Sequence, residues 1–400
     1  MVRRNGGFIG QDGLDAPDPP TGVSAGSANA SISVTFTAPS DVGTSAITGF
    51  VAQASSSSGD YSAGSGTGTS SPITISSLSN GTAYTAKVWA VNAYGTSAPS
   101  EASSSATPVA PKALIALGLG GGSRVNTVDT VIISTTANST DFGDLSSTRS
   151  GCGTSSGSSS TRGIFAGGST GSRVNTMDYF TIASAGNATD FGNLLEVNNS
   201  TASCSSDTRS TTGGGNISSG ATNRIQYVTI ASTGNATDFG DLTVARYELG
   251  ATSSPTRGLW FGGNTASAIV NTIDYVTIAS TGNATDFGDR TVSASENPMC
   301  SASNTRAVAG GGGEGAGPTN VIDYVTIAST GNATDFGDLT GDARSRGGGT
   351  SSKIRAIFAG GDTNTIDYVT IASTGNASDF GDLSASAALS SACSNQHGGL

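Results

Sequence analysis

Short runs of alternating apolar and polar residues, each closed by Gly, Pro, Asn or Ser, recur along the chain and predict β-strands rather than helices. In the first quarter these runs are Ile32-Ser-Val-Thr-Phe36, Ile47-Thr-Gly-Phe50, Ile73-Thr-Ile75 and Tyr84-Thr-Ala-Lys-Val-Trp-Ala-Val91. After about residue 111 one stretch dominates, Asn364-Thr-Ile-Asp-Tyr-Val-Thr-Ile-Ala-Ser-Thr-Gly-Asn-Ala-Ser-Asp-Phe-Gly-Asp-Leu383. Copies of it begin at Asn126, Asn175, Asn223, Asn271, Asn320 and Asn364, at intervals of 49, 48, 48, 49 and 44 residues. Near-constant spacing over six copies means one supersecondary unit used six times.

Each unit holds four strand-like pieces. The first is small and polar (Arg246–Thr252), and the second is apolar and ends in Gly-Gly (Arg257–Gly263). The third is Asn271–Ile278, and after a Ser-Thr-Gly-Asn turn the fourth is Ala284–Asp289. Four short strands in roughly 48 residues is the arithmetic of a propeller blade. The two ends are complementary: Lys112–Gly121 is a second strand without a first, and Leu383–Ser394 is a first strand without a second. The expectation is a closed ring in which residues from about 384 to 397 supply the missing strand to residues 112 to 145. An open solenoid would need polar capping repeats.

Residues 17–108 resemble a fibronectin type III module. The likeness rests on the opening Pro-Pro-x-x-Val23, the Leu78-x-Asn-Gly-Thr-x-Tyr84 corner, Val88-x-Ala-Val-Asn92-x-Tyr-Gly95 and the closing Ser-x-Pro99-Ser. It implies a buried Tyr84 ring whose hydroxyl bonds backbone near Leu78, with Phe36 in the place of the usual core tryptophan. There is no Arg-Gly-Asp integrin loop, so the module reads as a spacer or a weak binding domain. Ser103–Pro111 is Pro-bearing, and 109–111 is the linker proper.

The repeats resemble kelch blades in three features: an Arg near the first strand (Arg149, Arg246, Arg344), Gly-Gly closing the second, and a tyrosine in the third (Tyr179, Tyr227, Tyr275, Tyr324, Tyr368). Where kelch has tryptophan in the fourth strand, this chain has Phe142, Phe191, Phe239, Phe287, Phe336 and Phe380, placed to fill space between blades. The expected fold is therefore all-β: an arm (1–16), a fibronectin type III-like sandwich (17–108) and a six-bladed kelch-like β-propeller (112–400) closed by the C-terminal strand.

Only 35% of residues are apolar, alanine included, and the rest are largely Ser, Thr and Gly, a composition that alone would permit disorder. The regularly placed Val, Ile, Tyr and Phe clusters argue against it. A net charge of −11 with scattered basic residues excludes the cationic stripe a nucleic acid requires. No run reaches the roughly 18 apolar residues needed to span a bilayer, and Met1–Phe8 does not read as a signal peptide. Cys204, Cys300 and Cys393 each fall 14 residues after the first Asp of an Asp-Phe-Gly, a shared register of buried hydrophobes rather than a metal set.

Candidate chemistry is sparse. Six copies of Asp-Phe-Gly inside a β repeat are structural, and Gly310–Gly315 is not a phosphate loop. His397, the single histidine, has no nucleophile elbow beside it, so no enzyme is expected. The pairs Asp286/Asp289, Asp335/Asp338 and Asp379/Asp382 could offer oxygens to calcium or cap turns; they lack the dense acidic loop of an EF-hand, and no other cofactor is expected. Asp129, Asp178, Asp274, Asp323 and Asp367 recur in the third strands and read as bends or backbone bonds. Specificity is expected where copies differ, in the loops between second and third strands that carry Arg173, Asn216, Asn264 and Glu314. Tyr247, Glu248, Trp260 and Arg344 are further departures from the consensus, Trp260 as core.

The Gly, Ser, Thr, Ala and Asn usage, the near-identical repeats and the opening Arg-Arg-x-Gly-Gly-Phe-Ile-Gly-Gln-Asp-Gly13 resemble virion appendage and structural proteins of marine tailed phages, cyanophages among them. That resemblance implies a tail or neck fibre or adhesin assembled in the host cytoplasm. It would join other virion proteins through residues 1–16 or the sandwich and touch host-surface glycans with the propeller. Capsid decoration without a receptor, or a carbohydrate-active propeller enzyme, are the alternatives.

Overall fold

The computed structural model describes residues 15–56, 60–153, 155–294, 296–314 and 317–400; the expected arm, 1–16, lies outside them but for Asp15 and Ala16. The chain divides into two compact units, 1–110 and 111–400. Among the described residues every regular element is a strand.

Unit one has two antiparallel sheets. Thr21–Ala28, Ser31–Thr37 and Ile73–Ser76 form one; Gly64–Gly68, Ile47–Ser55, Thr85–Asn92 and Gly95–Thr96 form the other. Alternation places Ile32, Val34, Phe36, Phe50, Ile73, Ile75 and Val88 in a shared core, where the Phe36 and Phe50 rings sit 4.8 Å apart. Ser103 and Ala106, within the Pro-bearing stretch, are buried members of this unit rather than linker.

Unit two contains six sheets of at least four antiparallel strands, numbered here 1 to 6 in chain order. Sheet 4 is representative: Gly250–Ser253, Arg257–Phe261, Thr272–Thr277 and Thr285–Asp289, paired in that order. The first strand is shorter than expected. Arg246–Leu249 form a connection, turned by Glu248 at φ +57°, and the strand proper begins at Gly250. Sheet 1 draws on both ends of the unit, since Ser391–Ser394 pairs with Lys112–Ala116, Cys393 facing Leu114. Residues 384–388, expected to open that closing strand, instead prolong the fourth strand of sheet 6, and Leu389 at φ +51° turns the chain into the last strand.

The Asp-Phe-Gly signature has a local cause. In every sheet the pairing of third and fourth strands slips by one residue there; in sheet 4 Ile273 faces Gly288 and Asp274 faces Asp286. This β-bulge leaves Phe287 without a partner and turns its ring out of the ladder. The ring packs with Leu259 and Phe261 of its own sheet and with Ala307 and Val325 of sheet 5. The glycine that follows lies at φ +143°, and a Cβ on it would stand 2.5 Å from the Gly331 carbonyl of the next sheet. Only glycine permits both the conformation and the approach.

First strands contact one another in sequence from sheet 2 to sheet 6, and the Ser391–Ser394 strand touches both Gly347–Ser351 and Gly157–Ser158. Hydroxyls follow the same circuit: Ser205 Oγ donates to Ser158 O, Ser253 Oγ to Ser205 O, Ser351 Oγ to Ala302 O, Ser394 Oγ to Ser351 O and Ser158 Oγ to Ser394 O. The one missing step is at Ala302, which has no hydroxyl.

Candidate functional site

The loops that could read a ligand stand on a frame of inter-sheet locks. In sheet 4 the buried Asp274 carboxylate accepts from Thr243 N and Oγ1, at the end of sheet 3, and from Arg246 Nη2 at 3.0 Å. Arg149–Asp178 and Arg344–Asp367 repeat the lock in sheets 2 and 6. These aspartates therefore make the expected backbone bonds, accepting from Ser146, Thr243 and Thr340 N–H, and are in addition ion-pair acceptors buried between sheets rather than bends. Sheet 5 has Ala294 where sheet 4 has Arg246, and there Arg290, in the place of a leucine, supplies the cation to Asp323 at 3.2 Å. Sheet 3 removes both charges together: Asn198 replaces the arginine and Gln226 the aspartate, and Gln226 Oε1 accepts from Leu195 N. In sheet 1 the Asp129 carboxylate accepts hydroxyls from Ser139 and Ser384.

Aromatic residues brace the rim. Tyr179, Tyr227, Tyr275, Tyr324 and Tyr368 each meet the phenylalanine of their own fourth strand edge-on, at 5.8 to 6.0 Å between centroids. The other face of each tyrosine carries an arginine: Arg162, Arg209, Arg257, Arg306 and Arg355 lie 4.2 to 4.7 Å from the centroids. Sheet 1 lacks the tyrosine, and Lys112 covers Phe142 instead at 5.5 Å. Trp260 is fully buried and donates Nε1–H to Ala202 O. The Phe and Tyr positions are thus framework, and so are the thiols: Cys204, Cys300 and Cys393 lie in first strands, and burial pushes the Cys204 thiol up to about 12.

Where each connection enters a first strand, a residue takes the left-handed conformation: Gly151, Ser200, Glu248, Glu296, Arg346 and Leu389, at φ between 51° and 69°, with Asn297 following Glu296 at φ +62°. Backbone bonds link them in a circuit: Ser200 N–H donates to Gly151 O, Glu248 to Ser200 O, Asn297 to Glu248 O, Arg346 to Glu296 O, Ser390 to Arg346 O and Gly151 to Leu389 O. Non-glycine residues held in this region cost on the order of 1 kcal/mol or more each, and such strain collects at functional sites. Of the six, the five that carry side chains differ in chemistry. Burial and the neighbouring Glu296 push the Glu248 carboxyl up, and Arg346 pairs with Asp362 at 2.8 Å.

The loops between second and third strands pack beside these connections, as the bridges Ser150–Ser169, Asn199–Asn216 and Tyr247–Asn264 show. Two of the expected ligand-face residues meet. Arg173 donates from Nη2 to Asn216 Oδ1 at 2.9 Å and from Nε to Asn199 Oδ1 at 3.3 Å, so a side chain just before a sheet 2 strand is held by one amide of the connection from sheet 2 to sheet 3 and one of the sheet 3 loop. A cleft of about 500 Å³ opens here, lined by Ser169, Ser172, Arg173, Val197, Asn199 and Ser218. Asn264 turns inward to cap its own loop, accepting from Ala266 N. Glu314 ends the strand Gly313–Glu314, and its side chain lies outside what is described. Asn199, Val197, Glu296 and Arg346 were not singled out from the sequence. Their signal was there: the left-handed position falls ten residues after the first Asp of the preceding Asp-Phe-Gly in five copies, and eleven in the copy with one extra residue.

The opposite end offers less. The space among the first strands is about 20 Å³, room for a water and no ligand. His397 stands at its edge: Nδ1 accepts from Gly399 N, so Nε2 carries the proton and donates to Ser158 O at 3.1 Å. Burial holds this imidazole down to about 4. Among the described residues no three His, Cys, Asp or Glu side chains are placed to hold a metal ion.

In unit one the Tyr84 ring is buried and its hydroxyl accepts from Ser79 N at 3.1 Å, pinning the corner beside Leu78. Residues 18–106 match the family described as fibronectin type III domain. This segment is a fibronectin type III domain. Ser97, Ser100 and Ser103 of the domain accept the Ala90, Val88 and Ala86 N–H groups on their hydroxyls, each at 2.9 Å. The fibronectin type III domain thereby covers donors along the Thr85–Asn92 strand that an added strand would otherwise use. No curated protein matches the chain.

Proposed function

We propose that residues 111–400 form a six-bladed, kelch-like β-propeller closed by the Ser391–Ser394 strand, and that the protein is a non-enzymatic component of a phage particle. In this reading it is a tail or neck fibre or adhesin whose propeller presents its loop face to host-surface glycans. The pairing of the last strand with Lys112–Ala116 and the unbroken succession of first-strand contacts support the closed architecture. The composition and the opening residues support the particle.

One observation carries the binding role. On a frame repeated six times, the loops of sheets 2 and 3 diverge in sequence and come together around Arg173, Asn199 and Asn216 in a cleft of hydroxyls and amides. Unlike loops on a common platform are where specificity resides, and such donors and acceptors suit a polyhydroxylated ligand. Many copies on one particle would turn weak contacts into firm attachment. The test is the full chain on an array of bacterial surface polysaccharides, together with a particle map locating it. Binding on the array and a tail or neck position are expected; silence on the array with the chain on the capsid would replace this reading with decoration.

Attachment is assigned to residues 1–16 or the fibronectin type III domain. Deleting 1–16 is expected to leave unit two folded and to lower the copy number on purified virions.

A hydrolytic reading has one observation in its favour, the neighbouring carboxyls of Glu248 and Glu296, one of them raised. Turnover of a bound polysaccharide that disappears in Glu248→Gln would establish it.

A further inference from the structure

We infer that the cleft at Arg173 is a subsite for an acidic saccharide, with Arg173 receiving the carboxylate of a uronic-acid residue. The inference rests on the carbohydrate reading above and names the class of sugar. Its basis is how the arginines of unit two are used. Arg149, Arg246, Arg290 and Arg344 are neutralised by buried aspartates. Arg162, Arg209, Arg257, Arg306 and Arg355 lie on tyrosine faces and donate to carbonyls of sheets further along. Arg224 pairs with Glu196 and Arg346 with Asp362, while Arg124 is exposed, with neither an ion pair nor a side-chain hydrogen bond to fix it among the described residues.

Arg173 is held differently. Its two bonds go to neutral amide oxygens, and among the described residues no carboxylate stands within ion-pair distance of it. A guanidinium has five N–H donors and no acceptor, so both asparagines must turn their oxygens toward it. Two donors are thereby fixed, and the Nη1 group and one Nη2 hydrogen are left over. A guanidinium so oriented matches a planar carboxylate in a forked pair and loses little freedom on binding. In a chain with net charge −11, a fixed cation without a counter-charge is a specific feature rather than part of a basic field. The rest of the lining suits a sugar ring: hydroxyls at Ser169, Ser172 and Ser218, and Val197, 37% exposed, as an apolar patch for ring C–H groups.

The test measures binding of an oligogalacturonate and of its carboxyl-reduced counterpart to the full chain, to Arg173→Gln, and to Val197→Asp. The last keeps Arg173, Asn199 and Asn216 and sets a negative charge in the cleft. Wild type is expected to prefer the acidic form, and each variant to lose that preference, the acidic form weakening about tenfold or more relative to the reduced form. Raising the salt should weaken the acidic form alone. Thermal unfolding equal to wild type certifies that the variants fold. Equal affinity for the two forms, or full retention by both variants, overturns the acidic subsite and leaves the carbohydrate reading standing. If neither form binds and the polysaccharide array is silent, both fall.

Discussion

Ser384 Oγ donates to Asp129 Oδ1 at 2.9 Å, and Ser384 N to Asp129 Oδ2 at 2.8 Å, across 255 positions of sequence. The same bond joins Thr243 to Asp274 and Thr340 to Asp367, each between the end of one sheet and the third strand of the next. The lock between sheets 6 and 1 is therefore of the same kind as those between sheets consecutive in the chain.

Removing the last strand should undo the whole of unit two. A chain ending at Leu389 loses the pairing with Lys112–Ala116 and exposes Leu114 and Ile115, both fully buried in the intact protein. Calorimetry should show the cooperative transition of unit two lost and that of the fibronectin type III domain kept. A truncated chain that melts as wild type would refute closure.

The buried ion pairs should behave as pairs. Asp274→Ala leaves the fully buried Arg246 without its counter-charge and is expected to cost about 3 to 5 kcal/mol. Arg246→Asn combined with Asp274→Gln copies the Asn198 and Gln226 arrangement of sheet 3 and should recover most of that loss. Urea midpoints of Arg246→Asn, Asp274→Gln and the double variant give the coupling directly.

At the bulge glycine both conformation and space forbid a side chain. Gly240 sits at φ +149° with the Gly282 carbonyl 2.4 Å from its would-be Cβ, whereas Gly282, at φ +157°, has open space around it. Gly240→Ala should lower stability by roughly 1 to 3 kcal/mol or more, and Gly282→Ala by less. Comparable losses in thermal melts would remove the close approach as the cause.

His397 should make unit two sensitive to mild acid. Its folded pKa, about 4, lies below the unfolded value of about 6.5, so the unfolded chain binds more protons between these limits. Stability then falls as pH drops through that window, by an amount on the order of 3 kcal/mol, and the loss is complete below about 4. Asp207 and Lys353 are the charged groups bearing on the ring, with opposite effects. His397→Gln should flatten the wild-type slope between pH 6.5 and 4.5 in urea titrations; an unchanged slope would exclude the histidine.

Much of the fold was legible because repetition multiplies a weak signal. One Thr-Ile-Asp-Tyr-Val-Thr run is ambiguous, but six at even spacing fix the strands, and the Tyr84 corner marks the fibronectin type III domain. The ends of strands were less legible. Glu248, Arg346 and Leu389 carry no preference for the left-handed conformation that stops each connection short of its first strand, so only the surrounding bonds dictate it. The ion-pair role of the recurrent aspartates was also hidden, because their partners come from changing positions: Arg246 in one sheet, Arg290 in another, and at Asp129 hydroxyls and a backbone N–H with no arginine. Arg173 and Asn216 were marked only as loop residues; that they touch depends on how two sheets pack.

The neutral Asn198 and Gln226 of sheet 3 have a bearing on ancestry. If the repeats descend from one duplicated segment, sheet 3 could not have shed its arginine and its aspartate in two independent steps without an intermediate that strands a lone charge in the interior. Sheet 1 keeps one such intermediate, since buried Asp129 is held there by hydroxyl and backbone donors without an arginine, so loss of the arginine before the aspartate is a route the frame tolerates.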